Sequence, residues 1–175
     1  ATVERTPEHG TAGRHGAPGT ASLAAAPTRR RVRANAATAD AARFDAAVAA
    51  RDTSALLECM ADDLEVVDHT TGVVFDRQAG HTSYRGLMNA RDPACLHEPL
   101  ATLGDSLALC RLLVSASGLE RGRLDVGAYD KEEIHLVEVD ADGRRRRGEV
   151  FAADHLGEAV VRLYERYAEL LPEGP

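Results

Sequence analysis

In the stretch ADDLEVVDHTTG (residues 61–72), Asp68 follows Leu64 and Val66 at every second position. Side chains on a strand alternate between faces, so this carboxylate would share its face with two apolar residues rather than with water. Burial of that kind disfavours the charged form and raises a carboxyl pKa. An acid so placed could act as general base or acid in isomerisation, cyclisation, hydration or proton abstraction beside a carbonyl. The competing arrangement is a turn over DHTTG, with the aspartate oxygen accepting from backbone amides two residues on. His69 would point to the opposite face, so the pair could not chelate one metal.

His135 lies in DKEEIHLVEVD with Val137 and Val139 on its own side. A histidine among valines is either a satisfied core residue or a pocket residue. Facing Asp68 across a pocket, it would complete a proton-transfer pair. Arg111, in SLALCRLLVSASG, shares a face with Leu107, Leu109 and Leu113. A buried guanidinium must have partners, so Arg111 would anchor a ligand carboxylate or pair with Asp68, unless its face meets a helix or a second copy. Tyr84 and Tyr129 offer further pocket hydroxyls. Arg144 to Arg147 follow the Asp142-Gly143 turn, and strand alternation puts two on each face. They read as a hairpin tip in water, opposed by the acidic strand alongside.

Other chemistries find no footing. Cys59, Cys95 and Cys110 are odd in number and lack C-x-x-C spacing, which suggests reduced structural thiols rather than disulfides or a zinc site. There is no Gly-rich phosphate loop, G-x-S-x-G elbow, H-E-x-x-H or dinucleotide fingerprint. Any catalysis would be cofactor-free acid–base chemistry, without a metal.

The elements that must position these residues follow from periodicity. Residues 1–36 are rich in Gly, Pro, Ala and Thr and read as a linker or tail. Thereafter Ala37, Ala41, Phe44, Ala47 and Val48 mark one face of a helix. Asp52 or Thr53 caps a second short helix, LEVVDH is a strand, and Thr82 is placed to cap a third helix over SYRGLMNAR. The second half reads as antiparallel strands with hairpin signals at Gly104-Asp105 and Ala141-Asp142-Gly143. Asp154 is placed to cap a last helix with Leu156, Val160, Leu163, Tyr167 and Leu170 along one side. The order predicts an α+β fold: helices over one face of a curved antiparallel sheet at 37–153, plus an amphipathic helix at 154–175 packed on the domain or at a dimer interface.

The chain of 175 residues is 44% hydrophobic but only 4% aromatic, with no Trp. It can bury an aliphatic core and lacks a stacking platform for bases. Of the net charge of −7, the first 35 residues, with six arginines and two acids, carry +4, leaving −11 for the rest. An acidic body does not suit nucleic acid. No stretch is apolar and long enough to span a membrane, and a cytoplasmic location is expected.

The motifs RFDAAVAARD, ADDLEVVDH, GHTSYRGL and VEVDADGRRRRGEVF, in that order and spacing, resemble the SnoaL-like, nuclear transport factor 2-like superfamily. The resemblance implies a cystatin-like α+β cone with a pocket between sheet and helices, with Phe44, Val66, Tyr84, Arg111 and Val137 as lining candidates. Compared with ketosteroid isomerase, it places the general-base aspartate at Asp68. The oxyanion-binding tyrosine would fall on Phe44, which cannot donate a hydrogen bond, and the partner carboxylic acid on or near His135. In texture, VVDH, EPLATLGDSLAL, DVGAY, EVDADGRRRR and EVFAADHLGEAVVRLYERYAELLP are similar to SnoaL-like domains near the C-termini of multidomain bacterial cyclase or ATPase regulators. The sequence therefore points to a module that binds a small hydrophobic molecule or dimerises, within a longer polypeptide and as a homodimer. The alternative is an isomerase, cyclase or hydratase with Asp68 as base and His135 as its partner.

Overall fold

A computed structural model describes residues 32–121, 124–126 and 128–172. Most of the expected linker lies outside these residues, but its last part is structured. Helix α1 (Ala36–Ala50) is capped by Asn35, whose side chain accepts from Thr38 N–H while Thr38 Oγ1 accepts from Asn35 N–H. This reciprocal pair satisfies two of the amides that a helix start leaves open. Asn35 Nδ2 also donates to Leu107 O at 2.8 Å and so ties the helix start to the sheet. Ala37, Ala41, Phe44, Ala47 and Val48 are buried, as the helical period predicts. Asp52 caps the short α2 (Thr53–Glu58), accepting from Ser54 and Ala55.

Strand β1 (Met60–Asp68) turns through Thr70 to Gly72, the last at φ +72°, into β2 (Val73–Asp76). The third helix begins earlier than its sequence signal. Asp76, not Thr82, is the N-cap of α3 (Arg77–Met88), because its carboxylate reaches Ala79 N–H at 2.8 Å. Then come β3 (Ala94–Leu103), β4 (Leu107–Ala116), a small ribbon of β5 (Leu119–Arg121) with β6 (Leu124–Val126), β7 (Tyr129–Val139) and β8 (Arg145–Ala152). The last helix, α4 (Leu156–Leu170), follows His155, which makes no side-chain cap; Asp154 does not cap it.

The six-stranded sheet has the order β2-β1-β8-β7-β4-β3. All its pairings are antiparallel except β1 with β8, so the sheet is mixed rather than wholly antiparallel. Its two faces are covered differently. On the inner face α1 packs against β3, β4 and β7, and α3 packs against β1 and β2. On the outer face α4 packs against β3, β4, β7 and β8. Leu107 and Leu109 of β4, Ile134 and Leu136 of β7 and Phe151 of β8 meet Ala159 and Leu163 there. Leu156 and Leu170 at the ends of α4 stay partly exposed. Among the described residues no helix is long and apolar enough to cross a membrane.

Candidate functional site: a cavity between the inner sheet face and α3

The helices do not close over the whole inner face. Between the sheet, α1 and α3 lies a cavity of about 980 Å³. Met60, Leu64 and Val66 of β1, Leu112 and Val114 of β4, Val150 of β8 and Phe44 of α1 give it apolar walls. At Gly148, a Cβ would stand 3.3 Å from Val66 Cγ2, so glycine here keeps the floor between β1 and β8 open. Of the residues singled out above, Phe44, Val66, Asp68, Tyr84, His135 and Val137 all line this space, and Tyr129 does too. Lys131, Glu133 and Arg145 join them.

Asp68 is buried, but its carboxylate is closed. Oδ1 accepts from Thr70 N–H (2.8 Å), Thr70 Oγ1–H (2.7 Å) and Thr71 N–H (3.3 Å), and Oδ2 accepts from Thr71 Oγ1–H (2.8 Å). Burial pushes its pKa up, yet the bonds from Thr70 and Thr71 outweigh burial and hold it below the ordinary carboxylate value. The expected upward shift is thus corrected. The turn arrangement and the cavity position coexist, and the turn governs the protonation.

β7 presents a line of titratable groups at alternate positions. Lys131 Nζ pairs with Glu133 Oε1 at 2.6 Å, and Glu133 Oε2 lies 3.4 Å from His135 Nε2. Burial lowers the His135 pKa and Glu133 only partly offsets it, so the imidazole is neutral near pH 7. Burial alone would raise Glu133, but its bonds to His135 and Lys131 bring it below its ordinary value. The period-two pattern Lys131, Glu133, His135, Val137 is present in the sequence, and strand alternation puts the lysine and glutamate on the same face as the histidine.

Arg145 corrects the reading of the four-arginine run most sharply. It is 5% exposed, within the fold and not at a hairpin tip in water. Arg144 pairs with Asp140 and Asp142, and Arg147 with Glu65 and Glu149, on the outside. The cause is a bulge. Glu138 pairs with Arg147 but Val139 pairs with Arg145, so Arg146 is an extra residue and alternation slips by one. Arg145 then faces inward with Gly148 and Val150. Its Nε donates to Asp40 Oδ2 at 3.0 Å, and its guanidinium carbon stands 4.4 Å from the Phe44 ring centre. Its Nη2 is buried without a hydrogen-bond partner among the described residues. Asp40, fully buried on α1, has its pKa raised by burial, against the pull of Arg145.

Arg111 does not reach the cavity. It belongs to the outward face of β4 with Leu107 and Leu109, beyond the part that α4 covers, and pairs with Glu132 at 3.1 Å and Glu98 at 3.8 Å. The period that put it beside leucines was right, and the face was the outer one. His69 also faces outward: it bonds Glu149 at 2.9 Å and stacks on Phe151.

Behind Phe44, Asp45 grips His97. Its Oδ2 accepts the His97 backbone N–H at 2.7 Å and its Oδ1 meets Nδ1 at 2.6 Å. With Cys95 these form a group whose donor atoms lie within 4.8 Å of one another, the spacing a metal ion needs. Nδ1 and the carboxylate share a proton, and burial holds the Cys95 thiol well above its ordinary pKa and so protonated, while His97 Nε2 is buried without a partner among the described residues. The group reads as a hydrogen-bonded dyad bracing α1 on β3. Burial drives the His97 pKa down to about 4 despite Asp45.

No protein-family model matches the sequence, and no curated protein matches it significantly. Solved structures do match. A Δ5-3-ketosteroid isomerase from Mycobacterium sp. superposes with a TM-score of 0.54 at 14% identity, over 70% of this chain and 96% of that one. The chain has the ketosteroid isomerase-like fold. A Mycobacterium tuberculosis protein in complex with estradiol-17β-hemisuccinate shares this fold (TM-score 0.55, 14% identity, 69% of this chain and 97% of that one). So does SalBIII, an epoxide hydrolase/cyclase-like enzyme of pyran-ring formation in salinomycin (TM-score 0.52, 15% identity, 65% and 88%). It is the α+β cone that the sequence motifs implied.

Proposed function

We propose that this domain binds a small, largely apolar molecule in the cavity between the sheet and α3, as a sensing appendage of a longer polypeptide. The observation that carries the reading is the cavity itself. At about 980 Å³ it has the size of a pocket for a polycyclic or long-chain ligand, and its mainly apolar walls carry four buried polar groups, Asp68, Glu133, His135 and Arg145, with further exposed ones such as Arg85 and Lys131. Two of the solved structures with this fold are a ketosteroid isomerase and a steroid complex, which puts steroids, polyketides and fatty acids first in a screen. A ligand that binds only the folded state raises the melting temperature. Thermal shift followed by calorimetry tests this. A saturable shift that Val114→Trp abolishes, by filling the cavity, supports the reading; no shift across the screen refutes it. Homodimerisation belongs to the same proposal: Leu96 is exposed and Leu113 half-buried on the outer sheet face beyond α4. Sedimentation velocity decides it.

A second reading, cofactor-free acid–base catalysis, is favoured by the Glu133–His135 contact in the cavity wall. The neutral imidazole, and not the closed Asp68 carboxylate, is then the group able to take a proton near pH 7. His135→Gln should abolish turnover of any substrate found, whereas Asp68→Asn should leave most of it.

A further inference from the structure

We propose that Arg145 is the anion-recognition point of this cavity, so that its ligands carry a carboxylate or comparable oxyanion at the end that enters first. The inference rests on the ligand-binding reading above and narrows the class of ligand.

The charged groups facing the cavity differ in what they have left to offer, and one of them, Arg85 of α3, is exposed, so water satisfies its donors. The Lys131 ammonium is held by Glu133 at 2.6 Å, and Glu133 is divided between Lys131 and His135. Asp68 is filled by four donors from Thr70 and Thr71. Arg145 alone among these carries a buried donor with no acceptor, its Nη2, while a single side-chain bond to Asp40 anchors Nε. Asp40 is itself shared, with Arg43 at 3.3 Å on its other oxygen, so it does not fully neutralise Arg145. Buried polar groups in folded proteins nearly always find a partner, and an orphan asks for an explanation. A ligand oxygen supplies one here.

The geometry is that of a prepared donor. A guanidinium is planar, always charged and suited to two parallel bonds to a carboxylate. Its plane is steadied by the Phe44 ring at 4.4 Å, and Phe44 is in turn held edge-on by Tyr84 at 4.7 Å. Both Phe44 and Arg145 are buried, whereas Tyr129, on the same cavity wall, is 38% exposed. Arg145 therefore stands at the closed end and Tyr129 at the rim. The bulge at Arg146, which turns Arg145 inward, is the kind of local device that re-aims a side chain toward a site.

The test is calorimetric titration of the full chain with matched pairs: dodecanoate against methyl dodecanoate, and lithocholate against methyl lithocholate. The expected result is that the acid of at least one pair binds tenfold or more tightly than its ester. In Arg145→Met that preference should vanish, with ester affinity retained within threefold. Because Arg145→Met leaves Asp40 buried without its main partner, the double variant Asp40→Asn/Arg145→Met, which removes both charges, is measured beside it and should also lose the preference. Equal binding of acid and ester by the unaltered chain overturns this inference and leaves the ligand-binding reading standing. So does a preference that survives in the double variant. Binding of neither member of either pair, with the wider screen also blank, overturns both.

Discussion

The two faces of one sheet solve the problem of buried charge in opposite ways. On the outer face Glu138 and Glu149, each 1% exposed, are surrounded by cations. Glu138 accepts from Arg166 at 2.6 and 3.1 Å; Glu149 accepts from Arg162, Arg147 and His69 at 2.9 to 3.0 Å. The arginines of α4 extend the network to Glu169 near water. These bonds pull the Glu149 pKa below its ordinary value although burial pushes the other way. On the inner face the arrangement reverses. A single carboxylate, Asp40, serves the buried Arg145, one donor is left open, and a cavity lies in front of it. Both faces use strands β7 and β8, so composition does not separate them. What separates them is satisfaction: a cluster that clamps a helix uses up its hydrogen-bonding capacity, and one that lines a cavity keeps some in reserve.

The contrast can be broken from either side. Arg145→Ala should have the largest effect, about 3–5 kcal/mol of stability by urea unfolding, since it strands a fully buried Asp40. Asp40→Asn/Arg145→Met should recover at least half of that; a double variant no better than the single one would show that packing, not charge, dominates.

Acid should act next. His97 is buried and neutral, with its pKa down to about 4 from an ordinary 6.5. The unfolded chain therefore binds the extra proton between those values. The contribution is complete above about pH 6.5 and is lost as pH falls toward 4, by about 3 kcal/mol in all. His97→Gln should flatten the stability–pH curve in that window; an unchanged slope would assign the acid sensitivity elsewhere.

On the outer face, Glu138→Gln should cost about 2 kcal/mol, the value of charge-assisted bonds to Arg166, because that guanidinium can still turn to Glu169 and water. Ligand affinity should not change. A loss of binding with stability intact would mean that the two faces are coupled. The smallest effect is expected at Arg111→Ala, within about 0.5 kcal/mol and without effect on binding, as for a surface ion pair.

Much of this was legible in the chain itself, because helix faces, caps and strand alternation are local properties. Phe44 and its neighbours on α1, the Asp52 cap, the glycines of both hairpin turns and the apolar stripe of β1 follow from residues a few positions apart. So does the fact that Asp68, His135 and Val137 sit on the apolar sides of their strands. Arg111 escaped because alternation assigns residues to two faces without saying which face is inner. For Asp68 the sequence offers both a cavity-facing strand position and a turn over DHTTG, and only the folded hydroxyl geometry of Thr70 and Thr71 makes their bonds outweigh burial.

Arg145 lay furthest from reach. Its inward turn depends on one extra residue in the pairing of β8 with β7, and its partner Asp40 is 105 positions away. Nothing local in RRRR distinguishes the second arginine from the others. The sequence by itself determined which segments form helices and strands and which side of each is apolar, since those preferences act over one or two turns. The tertiary structure alone decided which arginine is buried, which carboxylate is closed and where the cavity ends, because register and burial arise only when distant strands meet.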